Sequence, residues 1–112
     1  MLNRSAVVVK PRQPFLDWLH RVDPTSGNIT LSELEQDPTI YLIPECDTEA
    51  DVRKALRRLC GSIFIEQLAA WWTDDERWPQ DRSFAGFRRW FDWQHYSMLI
   101  DLCAEPLADD AN

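Results

Sequence analysis

The chain has 112 residues, and its 12 Lys and Arg against 19 Asp and Glu leave a net charge of −7 with both histidines neutral. That length predicts one domain, and 45% hydrophobic with 28% charged residues describes a folded globular chain rather than a disordered one. The acid excess argues against nucleic acid or an anionic membrane surface as the main partner, because phosphate-rich partners require Lys and Arg in surplus.

Ser5 to Lys10, a β-branched run closed by Pro11, predicts the first strand. Pro14 opens a short helix in which Phe15, Trp18, Leu19 and Val22 share one face, stopped by the turn residues Asp23 to Asn28. Thr30 and Glu33 have capping-box spacing and predict one or two helical turns over Leu31–Gln36. Thr39–Ile43, between Pro38 and Pro44, reads as the second strand.

Thr48 and Asp51 mark another helix start, after which Val52, Leu56, Leu59, Cys60 and Ile63 form an apolar stripe. The apolar residues after Gly61 centre more than a quarter-turn away, so the helix either breaks there, with Ser62 capping a second one, or continues with changed neighbours. A break leaves Glu66, Gln67 and Ala70 solvated, and is favoured because acids are rarely buried unpaired; a continuous helix turns Glu66 toward the apolar side. The polar stretch Trp72 to Asp81 is a loop anchored by Trp78, Ser83 caps a helix with an aromatic face of Phe84, Phe87, Trp90 and Phe91, and Trp93 to Leu102 alternates as a last strand.

The expected architecture is therefore α+β: a small three-stranded sheet, mixed or parallel because both inter-strand connections are long and helical, with about four helices mainly on one face. Residues 1–103 form the domain and 104–112 a loose acidic tail containing Asp109 and Asp110. No apolar run approaches the roughly 18 residues of a membrane span, no signal pattern opens the chain, and Cys46, Cys60 and Cys103 lack disulfide or metal spacing. A cytoplasmic location with reduced thiols is the expectation.

Candidate chemistry is sparse. His95, Ser97 and Asp101 share one face of the last strand, yet His95 and Asp101 would lie about 20 Å apart at ~3.3 Å per residue, too far for one to orient the other. His20 and His95 have no metal-type spacing, and Gly27, Gly61 and Gly86 are too scattered for a phosphate loop, so neither metal nor cofactor is expected. Glu45, Cys46 and Asp47 follow the second strand and precede a helix, where pockets form and a helix N-terminus activates a thiol, although the two acids oppose that activation. Arg53, Lys54, Arg57 and Arg58, with Arg88 and Arg89, make a basic helix face. Of the six tryptophans, Trp18, Trp71 and Trp90 fit the core, whereas Trp72, Trp78 and Trp93 are surplus and, with His95, become candidates for a partner surface.

Asn3-Arg-Ser5, Phe15-Leu-Asp-Trp-Leu-His20, Tyr41-Leu-Ile-Pro-Glu45, Trp78-Pro79 and Trp90-Phe91 together resemble a family of small uncharacterised bacterial proteins. The resemblance spans nearly the whole chain and implies a cytosolic stand-alone domain, with no established activity to carry over. The leading expectation is a non-enzymatic protein-interaction module, a homodimer or a binder of another protein, that uses the surplus tryptophans and an uncovered sheet face. The alternative is a small enzyme or ligand-binding protein with its pocket near Glu45, Cys46 and Asp47, joined by His20.

Overall fold

A computed structural model describes residues 1–109. In chain order it contains β1 (Arg4–Pro11), α1 (Gln13–Val22), α2 (Leu31–Glu35), β2 (Thr39–Pro44), α3 (Glu49–Ala69), α4 (Phe84–Trp90) and β3 (Phe91–Tyr96), with 3-10 turns at Pro24–Ser26 and Asp75–Arg77. The helix starts expected from side-chain chemistry form as such. Thr30 Oγ1 accepts from the Glu33 amide, capping α2, and donates to Glu33 Oε1. Thr48 caps α3 through the Asp51 amide, and Ser83 caps α4 through the Gly86 amide.

The sheet has the order β2-β1-β3 and is antiparallel throughout, not mixed or parallel. Register gives the reason. Val9 pairs with Thr39, so residues 12–38 leave and rejoin the sheet at one end, an out-and-back excursion that reverses β2 relative to β1. Pro44 pairs with Arg4 while Phe91 pairs with Pro11, so residues 45–90 travel the full length of the sheet. α3, at 21 residues, is about 31 Å long and spans that distance. β2 and β3 therefore run parallel to each other, but β1 occupies the slot between them and every pairing is antiparallel.

α3 continues unbroken through Gly61. Its buried positions, among them Val52, Leu56, Cys60, Ile63, Phe64 and Gln67, recur at three or four residues along one uninterrupted stripe. The apparent change of face arises from two residues that contradict their polarity: Ile65 is exposed and Gln67 is buried. Gln67 is thus not on the solvated side.

β3 also differs from expectation, running over Phe91–Tyr96 rather than Trp93 to Leu102. α4 passes into it without a loop, as the amide of the already extended Phe91 still bonds the Phe87 carbonyl. Beyond Tyr96 the ladder with β1 lapses: the Leu2 amide reaches the Leu99 carbonyl at 2.7 Å, one residue off the register set by Ala6 and Tyr96.

Helices cover one face of the sheet. Phe15 of α1, Phe64 of α3 and Phe87 of α4 surround Phe91, with ring centroids 5.5, 5.1 and 5.2 Å away, and Trp90 packs on Phe64 at 5.4 Å. Residues 104–109 are exposed; the rest of the expected tail, from Asp110 onward, lies outside the described residues. Among the described residues no helix is long and apolar enough to cross a membrane.

Candidate functional site

Strand alternation divides the sheet residues cleanly. Val7, Val9, Tyr41, Ile43, Phe91, Trp93 and His95 face the helices, while Ala6, Val8, Ile40, Leu42, Gln94 and Tyr96 face away. On the outer face Val8 lies between Ile40 and Gln94, and Ala6 lies between Leu42 and Tyr96. Ile40, Leu42 and Tyr96 are 62%, 50% and 48% exposed. The centre of this face carries no charge. Lys10 opposite Asp92 closes one end, and Arg4 opposite Pro44 the other. Past Tyr96, Met98, Ile100 and Leu102 are exposed as well.

The tryptophans are distributed otherwise than expected. Trp72, Trp78 and Trp93 are half-buried against the core, and Trp71, expected inside, is exposed. Two of the surplus rings have specific partners within the chain: Trp78 Nε1 donates to the Trp72 carbonyl at 2.7 Å and pins the 73–80 loop, and Trp93 packs on Phe84 and Phe87 at 5.8 Å each. Trp18 Nε1 bonds the Arg77 carbonyl at 2.8 Å and ties the same loop to α1. His95 is on the helix-covered side, half-buried, rather than on the open face. Its Nε2 and the Trp72 Nε1 are buried without a hydrogen-bond partner among the described residues.

Glu45, Cys46 and Asp47 form the turn between β2 and α3. The Cys46 amide donates to the buried Ser5 hydroxyl at 3.0 Å, and its Sγ lies 3.2 Å from the Pro44 carbonyl. Burial, followed by the charges of Asp51 and Asp47, pushes this thiol up from its ordinary value, which opposes nucleophilic use. His20 lies in the last turn of α1, its Nε2 3.0 Å from the Ile29 carbonyl. No group of three or more His, Cys, Asp or Glu side chains among the described residues is arranged to hold a metal ion.

Concave space instead opens at the start of β2. Tyr41 OH donates to Glu66 Oε1 at 2.7 Å, and Gln67 Nε2 donates to Tyr41 OH and Thr39 Oγ1, each at 2.8 Å. Since the single phenolic hydrogen goes to the carboxylate, the Tyr41 oxygen must accept, which fixes the Gln67 amide with its NH2 toward the strand. Burial, the largest influence, and the nearby Glu66 carboxylate both raise the Tyr41 phenol well above its usual value, so it remains a donor. A cavity of about 480 Å³ lies beside this network, floored by Val9, Pro11, Ile29 and Leu34. Sequence periodicity does not find it, because Gln67 reads as a polar position on a polar face. The one available signal was the alternation of Thr39 and Tyr41 with Ile40 and Leu42, which places two hydroxyls on the helix side.

Comparison of the chain with protein-family models, curated proteins and solved structures finds no match, so the resemblance stated above rests on its quoted residues alone.

Proposed function

We propose that the protein is a non-catalytic interaction module that self-associates through the uncovered face of its sheet. The observation that carries this reading is the uncharged apolar centre of Val8, Ile40, Leu42 and Tyr96, left without a helix. A second copy is the fitting occupant because apolar residues on both flanking strands bracket the same central strand: a two-fold axis near β1 stacks β2 of one copy over β3 of the other, meeting Ile40 and Leu42 with Tyr96.

Area supports a larger contact than the strands alone. Three strands of about six residues give a footprint of roughly 14 by 20 Å, well short of the ~800 Å² per partner of a stable interface. Met98, Ile100 and Leu102, exposed on the following segment, supply the remaining apolar surface in this reading.

Multi-angle light scattering of the full chain at micromolar concentration tests it. A dimer is expected, reduced to monomer by Leu42→Asp with an unchanged far-ultraviolet circular dichroism spectrum. A monomeric parent protein, or a dimer indifferent to both Leu42→Asp and Ile40→Lys, overturns the reading.

A further inference from the structure

The cavity at the start of β2 lies on the helix side of the sheet, away from the open face, and has a chemistry of its own. Three carboxylates, Glu33 of α2, Asp37 and Glu66 of α3, line it with no lysine or arginine. Its remaining polar groups are mostly acceptors. Gln67 is only 7% exposed and has both amide hydrogens committed to Thr39 and Tyr41, so its carbonyl oxygen, which no described group engages, is what it offers a ligand. Glu66 receives the Tyr41 hydrogen on Oε1 and keeps Oε2 as an acceptor. That oxygen is not among the buried unpaired side-chain atoms, so it is open to a donor entering the cavity.

The rest of the lining decides the kind of donor. Val9, Pro11, Ile29 and Leu34 form an apolar floor, and Trp71, 41% exposed, stands at the edge, where an indole face attracts cations. Separate carboxylates around an apolar floor do not suit a bare metal ion, and Glu33, Asp37 and Glu66 do not form a metal-holding group. They suit a molecule with cationic N–H donors joined by methylene spacers. The cavity volume of about 480 Å³ is that of a small-molecule site.

We infer that this cavity binds an aliphatic di- or polyamine, its ammonium groups meeting Glu33, Asp37, Glu66 and the Gln67 carbonyl while its methylenes lie on Val9, Pro11 and Leu34 beside Trp71.

The test is calorimetric titration of the full chain at physiological salt with spermidine, 1,6-hexanediol and Mg2+ as separate probes, with tryptophan fluorescence recorded in parallel. Saturable binding of one spermidine per chain with a change in indole emission is expected, and neither hexanediol nor Mg2+ reproduces it. Glu66→Gln retains an acceptor for Tyr41 and removes one charge; since a charge-assisted hydrogen bond contributes ~1.5–3 kcal/mol, affinity falls by about tenfold or more. Trp71→Leu, at an exposed position, abolishes the emission change and weakens binding. Asp47→Asn, at the opposite end of β2, leaves affinity unaltered. No binding, equal binding of Mg2+ in competition with spermidine, or losses as large for Asp47→Asn as for Glu66→Gln would each overturn the inference, the last two by showing general attraction to an acidic chain.

Discussion

Cys46 and Cys60 are buried and Cys103 is exposed. Burial raises both buried thiols above the ordinary value, with Asp51 and Asp47 adding to the effect at Cys46 and backbone hydrogen bonds partly opposing it at Cys60. Thiolate is the reactive form, so alkylation of the native protein near neutral pH is expected to modify Cys103 first, with Cys46 and Cys60 following only on unfolding. Peptide mapping after a short iodoacetamide pulse checks this. Cys46 reacting as fast as Cys103 would return the turn after β2 to consideration as a reactive centre. Charged side chains show the same dependence on neighbours: Arg57 and Arg88, expected on a solvated basic face, converge on Phe84, with guanidinium carbons 5.4 and 5.9 Å from its ring centre.

At the scale of elements, two glycines inside helices have opposite roles. Gly61 sits in the middle of α3 with nothing within 4 Å of the place a Cβ would occupy. Gly61→Ala is therefore expected to stabilise the fold by about 0.5–1 kcal/mol, by lowering the entropy lost when that helix forms. Gly86 in α4 is different: a Cβ there would stand 2.5 Å from the Asp81 carbonyl oxygen. The Asp81 carboxylate is also fixed, accepting from Ser83 and from Arg89 at 2.7 Å, and these bonds hold its pKa down at about 2. Gly86→Ala must displace this loop, and a loss of about 1–3 kcal/mol is expected. Urea denaturation of both variants measures the two effects; a destabilising Gly61→Ala would contradict the straight, unstrained path of α3.

For the whole molecule, the radius of gyration is 15.3 Å, against about 13 Å for a compact chain of this length. The segment after β3 is exposed and carries Met98, Ile100 and Leu102. Because the centre of the open sheet face is uncharged, the proposed self-association is expected to persist when salt is raised, whereas the proposed amine binding is expected to weaken as the cavity carboxylates are screened. Sedimentation and titration over a salt series separate the two, and a dimer that dissociates with added salt would point instead to the Lys10 and Asp92 end of the sheet.

The sequence by itself determined the class of fold, the first two strands and the helix starts at Thr30, Thr48 and Ser83, because caps, β-branched runs and prolines act through neighbours a few residues away. It also implied an uncovered sheet face, since the expected helices lay mainly on one side. Tertiary structure alone decided the rest. Strand direction depended on where each connection rejoins the sheet, and β3 ended where its register with β1 failed. The tryptophans were divided by packing: Trp72, Trp78 and Trp93 turn inward and Trp71 outward because α4 and the 73–80 loop fold back over α1 and α3. Gln67 acquired its place in the cavity only when α3 brought it to Thr39 and Tyr41, 28 and 26 residues earlier, a separation that no local periodicity records.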